Sequence, residues 1–142
     1  MIDFENMNVV EESYVGYSAI KFPLQQETFK IIGACMEVHN HLGRGFAEVV
    51  YKDALEYEFK IQNIPFNREK SYQIKYKDII LTHRYNADFV VFDSIIVEIK
   101  ATKDVIESHF KQTINYLAVS KNPIGLIINF GEDKLTFKRV IL

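Results

Sequence analysis

The sequence predicts one mixed α/β domain of element order ααβββαββ, with a mixed central sheet flanked by helices. Three observations predict it. Apolar residues recur at helical spacing in residues 28–42, 46–61 and 105–120; alternation of period two fills the middle of the chain; and a nearly unbroken apolar run follows the last helix.

Residues 1–27 hold scattered aromatics with no sustained period and are read as an N-terminal arm or short extra element, and residues 28–142 as the domain. In 28–42 the positions Ile31, Cys35, Val38 and Leu42 share a face, and Gly43 and Gly45 stop the helix. In 46–61 the inner face is Tyr51, Leu55 and Phe59, and Pro65 closes the helical region. Strands are expected at 70–76, 79–91 and 95–101, parted by Lys77-Asp78 and by Phe92-Asp93-Ser94, which makes an antiparallel meander. Asp104, with Glu107 three residues on, is the expected N-cap of a helix over 105–120 whose core stripe is Ile106, Phe110, Thr113 and Leu117. Asn122-Pro123 breaks that helix. The run 124–130 suits a strand covered on both faces, and Gly131-Glu132-Asp133 turns the chain into a last strand, 135–141. A strand, a helix and a buried strand in succession imply a right-handed crossover into a parallel neighbour, which is what makes the sheet mixed.

At 142 residues, 48% hydrophobic and 25% charged, the chain can bury a core without disulfides or a structural metal. Its single cysteine, Cys35, falls on an apolar helix face and reads as a buried small hydrophobe, and a reducing cytoplasm is the expected compartment. The first twelve residues lack the apolar core of a signal peptide, and the longest apolar runs fall far short of the ~20 residues of a membrane helix, so neither export nor a membrane span is expected. The net charge of −2 lacks the footprint of a protein that coats nucleic acid.

The anomaly lies in residues 87–101, where Asp88, Glu98 and Lys100 interrupt an otherwise apolar hairpin. Residues two apart in a strand share a face, so Glu98 and Lys100 project together beside Ile96. A solvated ion pair is the plain account of an isolated Glu-x-Lys, but Val97 and Ile99 on the other face point to a strand buried on both sides. There an unpartnered charge costs roughly several kcal/mol. A two-residue loop at Asp93-Ser94 would set Asp88 opposite Ile99 and send its carboxylate to the wrong face. One site therefore requires an odd-numbered loop or a bulge, which brings Asp88 opposite Glu98 or Lys100. Two carboxylates with the backbone carbonyl of Ile99 would supply half an octahedron of hard oxygens to Mg²⁺ or Mn²⁺, with Lys100 as an adjacent cation.

Asp88 followed by Glu98-Ile99-Lys100 resembles the D…(D/E)xK core of the PD-(D/E)xK nuclease superfamily. Gly45-Phe46-Ala47-Glu48-Val49-Val50-Tyr51 matches the signature of its GxxExxY family, and Gln112 with Tyr116 resembles the Q-x-x-x-Y helix motif of RecB-type members. Ala87 stands where a proline often precedes the core aspartate. The resemblance covers residues 28–142. It implies a restriction-endonuclease-like core and a divalent-metal-dependent phosphodiester hydrolase acting on DNA or RNA. Glu48, Asp88, Glu98 and the Ile99 carbonyl would be the metal ligands, Lys100 the catalytic cation, and Gln112 and Tyr116 would orient substrate. Glu48 shares the helix face of Tyr51, Leu55 and Phe59, and so is expected to point inward.

A second reading is a nuclease-fold binding or regulatory protein that recognises a protein or nucleic-acid partner without cutting it, and a third is a metal-dependent hydrolase of nucleotides. Net negative charge implies weak binding of a nucleic-acid substrate and leaves room for a protein partner or for assembly of several copies. If Lys21, Lys103, Lys111, Lys121, Lys134, Lys138 and Arg139 gather around the cluster, a local track for a polyanion exists; if they scatter, the binding reading gains.

Overall fold

Five strands between residues 66 and 141 and one from residues 8–12 form a six-stranded sheet, and the helical stripes cover its two faces. The computed structural model describes residues 8–12, 24–103 and 107–141. The elements are β1 (Asn8–Glu12), α1 (Gln25–Leu42), α2 (Glu48–Ile61), β2 (Phe66–Tyr76), β3 (Ile79–Val91), β4 (Ile95–Lys100), α3 (Glu107–Ser120), β5 (Ile124–Asn129) and β6 (Thr136–Ile141). The strand order is β1-β6-β5-β4-β3-β2. Neighbours are antiparallel except β4 and β5, which run parallel with Glu98 beside Ile127 and Lys100 beside Asn129. The expected order ααβββαββ is present, with one edge strand added from the segment read as an arm. The Asp104 cap and Ile106 lie outside the described residues.

α1 and α2 bury Ile31, Cys35, Val38, Tyr51, Leu55 and Phe59 against Phe89, Val91, Val97, Ile99 and Leu126 of the sheet. Burial pushes the Cys35 thiol far above its ordinary range, which keeps it protonated. On the other face α3 buries Ile114 and Leu117 against Tyr85, Ala87, Ile96, Ile127 and Val140. Ile114 was missing from the expected stripe of α3, and Leu42 at the end of the expected α1 stripe is only half-buried. β2 begins at Phe66, four residues before the expected start, because Phe66, Asn67 and Arg68 pair with β3 even though the last two are polar. Arg68 there bonds Asp53 at 2.7 Å and Glu56 at 3.0 Å on α2.

The β2–β3 hairpin changes sides of the sheet partway along its length. Near the turn into β4, Phe66, Phe89 and Val91 pack under α1 and α2; farther out, Tyr72, Ile74, Tyr85 and Ala87 pack toward α3. Strict alternation would keep Ala87 and Phe89 on one side. The crossover falls between the pairs Arg68↔Phe89 and Lys70↔Ala87, where Glu69 stands opposite Asp88 and adopts φ 57°. A left-handed residue in a strand rotates the ribbon locally, and it takes both partners through the sheet plane together.

The C-terminal ends of β4 and β5 are clamped. The Asn129 side chain, fully buried, accepts from the Thr102 N–H at 3.1 Å and the Gly131 N–H at 3.0 Å, and donates to the Thr102 carbonyl at 3.0 Å. Gly131 lies so close to Thr102 that a Cβ would fall on backbone atoms. Gly131→Ala is therefore expected to lower unfolding free energy by about 3 kcal/mol, the upper part of the overpacking range. Gly33→Ala, in helix α1 with nothing within 4 Å of the new Cβ, should raise it by about 0.5–1 kcal/mol. Urea unfolding of the two variants checks both signs.

Candidate active site

The turn from β3 to β4 decides which carboxylates meet. Three residues, Phe92, Asp93 and Ser94, join the strands, and the pairs Val91↔Ile95, Val90↔Ile96 and Phe89↔Val97 follow. The next step of that register sets Asp88 opposite Glu98, as an odd-numbered loop requires. Phe92 and Asp93 take φ 54° and 56°, a tight turn closed by the Ser94 N–H to the Val91 carbonyl at 3.2 Å. Partial burial of Phe92 on the α1 and α2 core offsets the strain of that conformation.

Beyond Phe89↔Val97 the ladder opens. The Ile99 N–H, which regular pairing would direct to Ala87, donates instead to Asp88 Oδ2 at 2.8 Å. The N–H and C=O of one strand residue point the same way, so the Ile99 carbonyl also turns toward the opening. This is where the hairpin changes sides, which is why the Asp88 side chain reaches between strands instead of joining either core.

Glu98 is 8% exposed and accepts a hydrogen bond from the Tyr85 hydroxyl. Burial, with the Asp88 charge, raises its pKa to about 8, against the pull of the Tyr85 hydrogen bond and Lys100. The Tyr85 hydroxyl is itself held far above its ordinary range by burial and by Glu98. Lys52, from α2, lies 3.3 Å from Asp88 Oδ1 and 3.0 Å from Glu69. Burial works against its charge, but Glu69 and Asp88 outweigh burial and raise its pKa.

Gln112 donates to the Tyr116 hydroxyl at 3.0 Å, and the Tyr116 ring stacks on Tyr85 with centroids 3.5 Å apart. Tyr72 stacks on Tyr85 from its own strand at 5.8 Å. The two α3 residues thus reach Glu98 through Tyr85. His109 has its pKa lowered by burial and then by Lys100, with Glu48 opposing, so these three share a neighbourhood. Glu48 is half-buried in the first turn of α2. Tyr51, one turn on, donates to the Gly43 carbonyl at 2.6 Å and accepts from the Phe46 N–H at 3.2 Å. That ties down the two-glycine turn, where Gly45 holds φ 108°, and so sets where α2 begins.

The structure brings Asp88, Glu98 and the Ile99 backbone together, with Lys100 near enough to stabilise the Glu98 charge and to depress His109. Glu48 shares the surroundings of His109 with Lys100, and among the described residues no three His, Cys, Asp or Glu side chains gather to hold a metal. The α2 residue that reaches Asp88 is Lys52, one turn past Glu48. Lys52 and Tyr85 were not foreseen, since their partners lie 36 and 13 residues away and only the register joins them. Even so, the donor set fits a hard divalent cation. Two carboxylates and a carbonyl meet at one opening, and the charge that burial makes costly on Glu98 is one a cation would favour.

Of the basic residues named for a track, Lys103 and Lys134 line a cleft of about 380 Å³ with Arg44, Lys111 pairs with Glu107 at 2.9 Å, Lys138 lies on the Phe110 ring, Arg139 is fully buried, and Lys121 follows α3. Lys21 lies outside the described residues. No helix among the described residues is long and apolar enough to cross a membrane.

Comparison with known proteins agrees with this architecture. The family model described as the PD-(D/E)XK nuclease superfamily matches residues 25–140. No curated protein and no solved structure matches the chain. A match that runs from the start of α1 almost to the end of β6, and takes in both opposed carboxylates, places the chain in the PD-(D/E)XK nuclease superfamily.

Proposed function

We propose that the chain is an Mg²⁺- or Mn²⁺-dependent nuclease of the GxxExxY type that hydrolyses phosphodiester bonds in DNA or RNA. The observation that carries this reading is the opened ladder, where Asp88 and the buried Glu98 oppose each other beside the Ile99 carbonyl. Asp88, Glu98 and Ile99 would hold the ion, and Glu48 would complete the set through its place at the start of α2. The bound ion would polarise the phosphate and acidify a water. Lys100 supplies positive charge where the phosphate gains negative charge. Tyr85 holds the Glu98 carboxylate in place, and Gln112 and Tyr116 hold Tyr85.

The non-cleaving reading has its own support, since Lys52 and Tyr85 satisfy both carboxylates internally. Calorimetric titration with Mg²⁺ and Mn²⁺, followed by cleavage assays on single-stranded and duplex DNA and RNA, separates the two. Binding that Asp88→Ala with Glu98→Ala loses, together with cleavage, is the expected result. Binding without cleavage favours the second reading, and no binding overturns the site.

A further inference from the structure

We propose that the outer β2–β3 hairpin is an arm that grips the sugar-phosphate backbone of a nucleic acid. The inference rests on the reading of the chain as a nucleic-acid protein, but not on its cutting one. Between residues 70 and 84 the chain carries Lys70, Lys75, Lys77 and Arg84 against Asp78 alone, whereas overall it has 17 basic and 19 acidic residues. All four cations are exposed, as is His83. Four cations less one carboxylate give this segment a local net charge of +3, against −2 for the whole chain.

Position and chemistry agree with that charge. β4 pairs with β3 only from Phe89 to Val91, so over residues 79–87 β2 is the strand paired with β3 among the described residues. The inner part of this arm rests on α3 through Tyr85 on Tyr116, and on the turn after α3 through the Asn122 side chain donating to the Tyr72 hydroxyl at 3.2 Å. Its tip presents Tyr76, Ile79 and Ile80, which are 55%, 58% and 53% exposed. Lys70 lies over the Tyr72 ring at 5.5 Å and Lys77 over the Tyr76 ring at 5.4 Å. Cations interleaved with aromatic faces on a projecting ribbon suit phosphates flanked by bases: the cations release counterions, and the tip ring offers a stacking surface. The root of the arm is Glu69 and Asp88, so a strand held along it is led to the opened ladder.

Fluorescence anisotropy on the full chain in EDTA, with a labelled 20-mer single strand and its duplex, tests the arm. Lys70→Gln, Lys75→Gln, Lys77→Gln and Arg84→Gln combined should weaken binding at least about tenfold and flatten the salt dependence by roughly 3 in log–log slope. Lys30→Gln, Lys60→Gln, Lys111→Gln and Lys121→Gln combined, which remove equal charge elsewhere, should weaken it far less. Tyr76→Ala should cost about tenfold on the single strand and little on the duplex. Wild-type chain that binds neither oligonucleotide overturns the inference, and so does equal loss in the two charge variants or no loss in the hairpin variant. If the fourfold hairpin variant does not fold by circular dichroism, Lys77→Gln with Tyr76→Ala at the tip carries the same comparison. Cleavage by wild type with an unaffected hairpin variant would sink the arm and leave the nuclease standing. Hairpin-dependent binding without cleavage in Mg²⁺ or Mn²⁺ would do the reverse.

Discussion

Asp88→Asn is expected to lower metal-dependent cleavage by about 10³-fold or more while the protein stays folded. If Asp88 ligates the ion as proposed, the loss follows from removing a charged ligand from an ion that would supply several kcal/mol of charge stabilisation, at about 1.36 kcal/mol per factor of ten. The fold survives because the asparagine oxygen can still accept from the Ile99 N–H that Asp88 holds at 2.8 Å. Lys100→Met should separate the two roles, keeping metal affinity within a few-fold while single-turnover cleavage falls about 10²–10³-fold, the cost of one charge-stabilising donor. Calorimetry and single-turnover assays on both variants read this directly. Wild-type turnover in Asp88→Asn would remove Asp88 from the reaction, and loss of metal binding in Lys100→Met would make the lysine structural.

The second large effect is on stability against pH in the metal-free chain. Glu98 keeps its proton in the folded state up to about pH 8, but in the unfolded chain it releases it near the ordinary value of 4.5. Between those values the folded state binds more protons, so stability falls as pH rises through the window and is fully present only below it. At about 1.36 kcal/mol per pKa unit, the difference is on the order of 5 kcal/mol. Thermal melts in EDTA from pH 5 to pH 8.5 should show this decline, and Glu98→Gln should flatten it. Added Mg²⁺ should raise the melting temperature most at the alkaline end, because the ion competes with the proton for the same carboxylate. A wild-type profile as flat as that of the variant would mean that Glu98 is ionised throughout.

Much of this was legible because local pattern and global fold agree. The stripe Ile31, Cys35 and Val38 is buried as its spacing required, and the unbroken run at 124–129 became a strand buried at every position. The opposition of Asp88 and Glu98 was legible too, since turn parity alone decides which side chains share a face. What sequence could not reveal is the change of sides at Glu69. Nothing marks a glutamate as the residue that will take a left-handed backbone, so Tyr85, Ala87 and Phe89 read as one row when they serve two cores. Lys52 was hidden for a similar reason. On its helix it looks like any flanking lysine, and its partners Glu69 and Asp88 reach it only through the twist that the sequence does not announce. The charge of the hairpin was visible in the sequence, but averaging over the chain concealed it.

The three-residue turn and the outer hairpin differ in how much change in length each can absorb. A single residue inserted among Phe92, Asp93 and Ser94 would invert the parity between Asp88 and Glu98 and separate the carboxylates, whatever was inserted. Residues added in pairs at Lys77-Asp78 would lengthen the ribbon from its far end and leave Glu69, Asp88 and everything toward β4 where they are. Natural or designed variants of this architecture should therefore diverge in the length of the hairpin and keep the short turn constant, which would let one catalytic frame be fitted with ribbons of different reach.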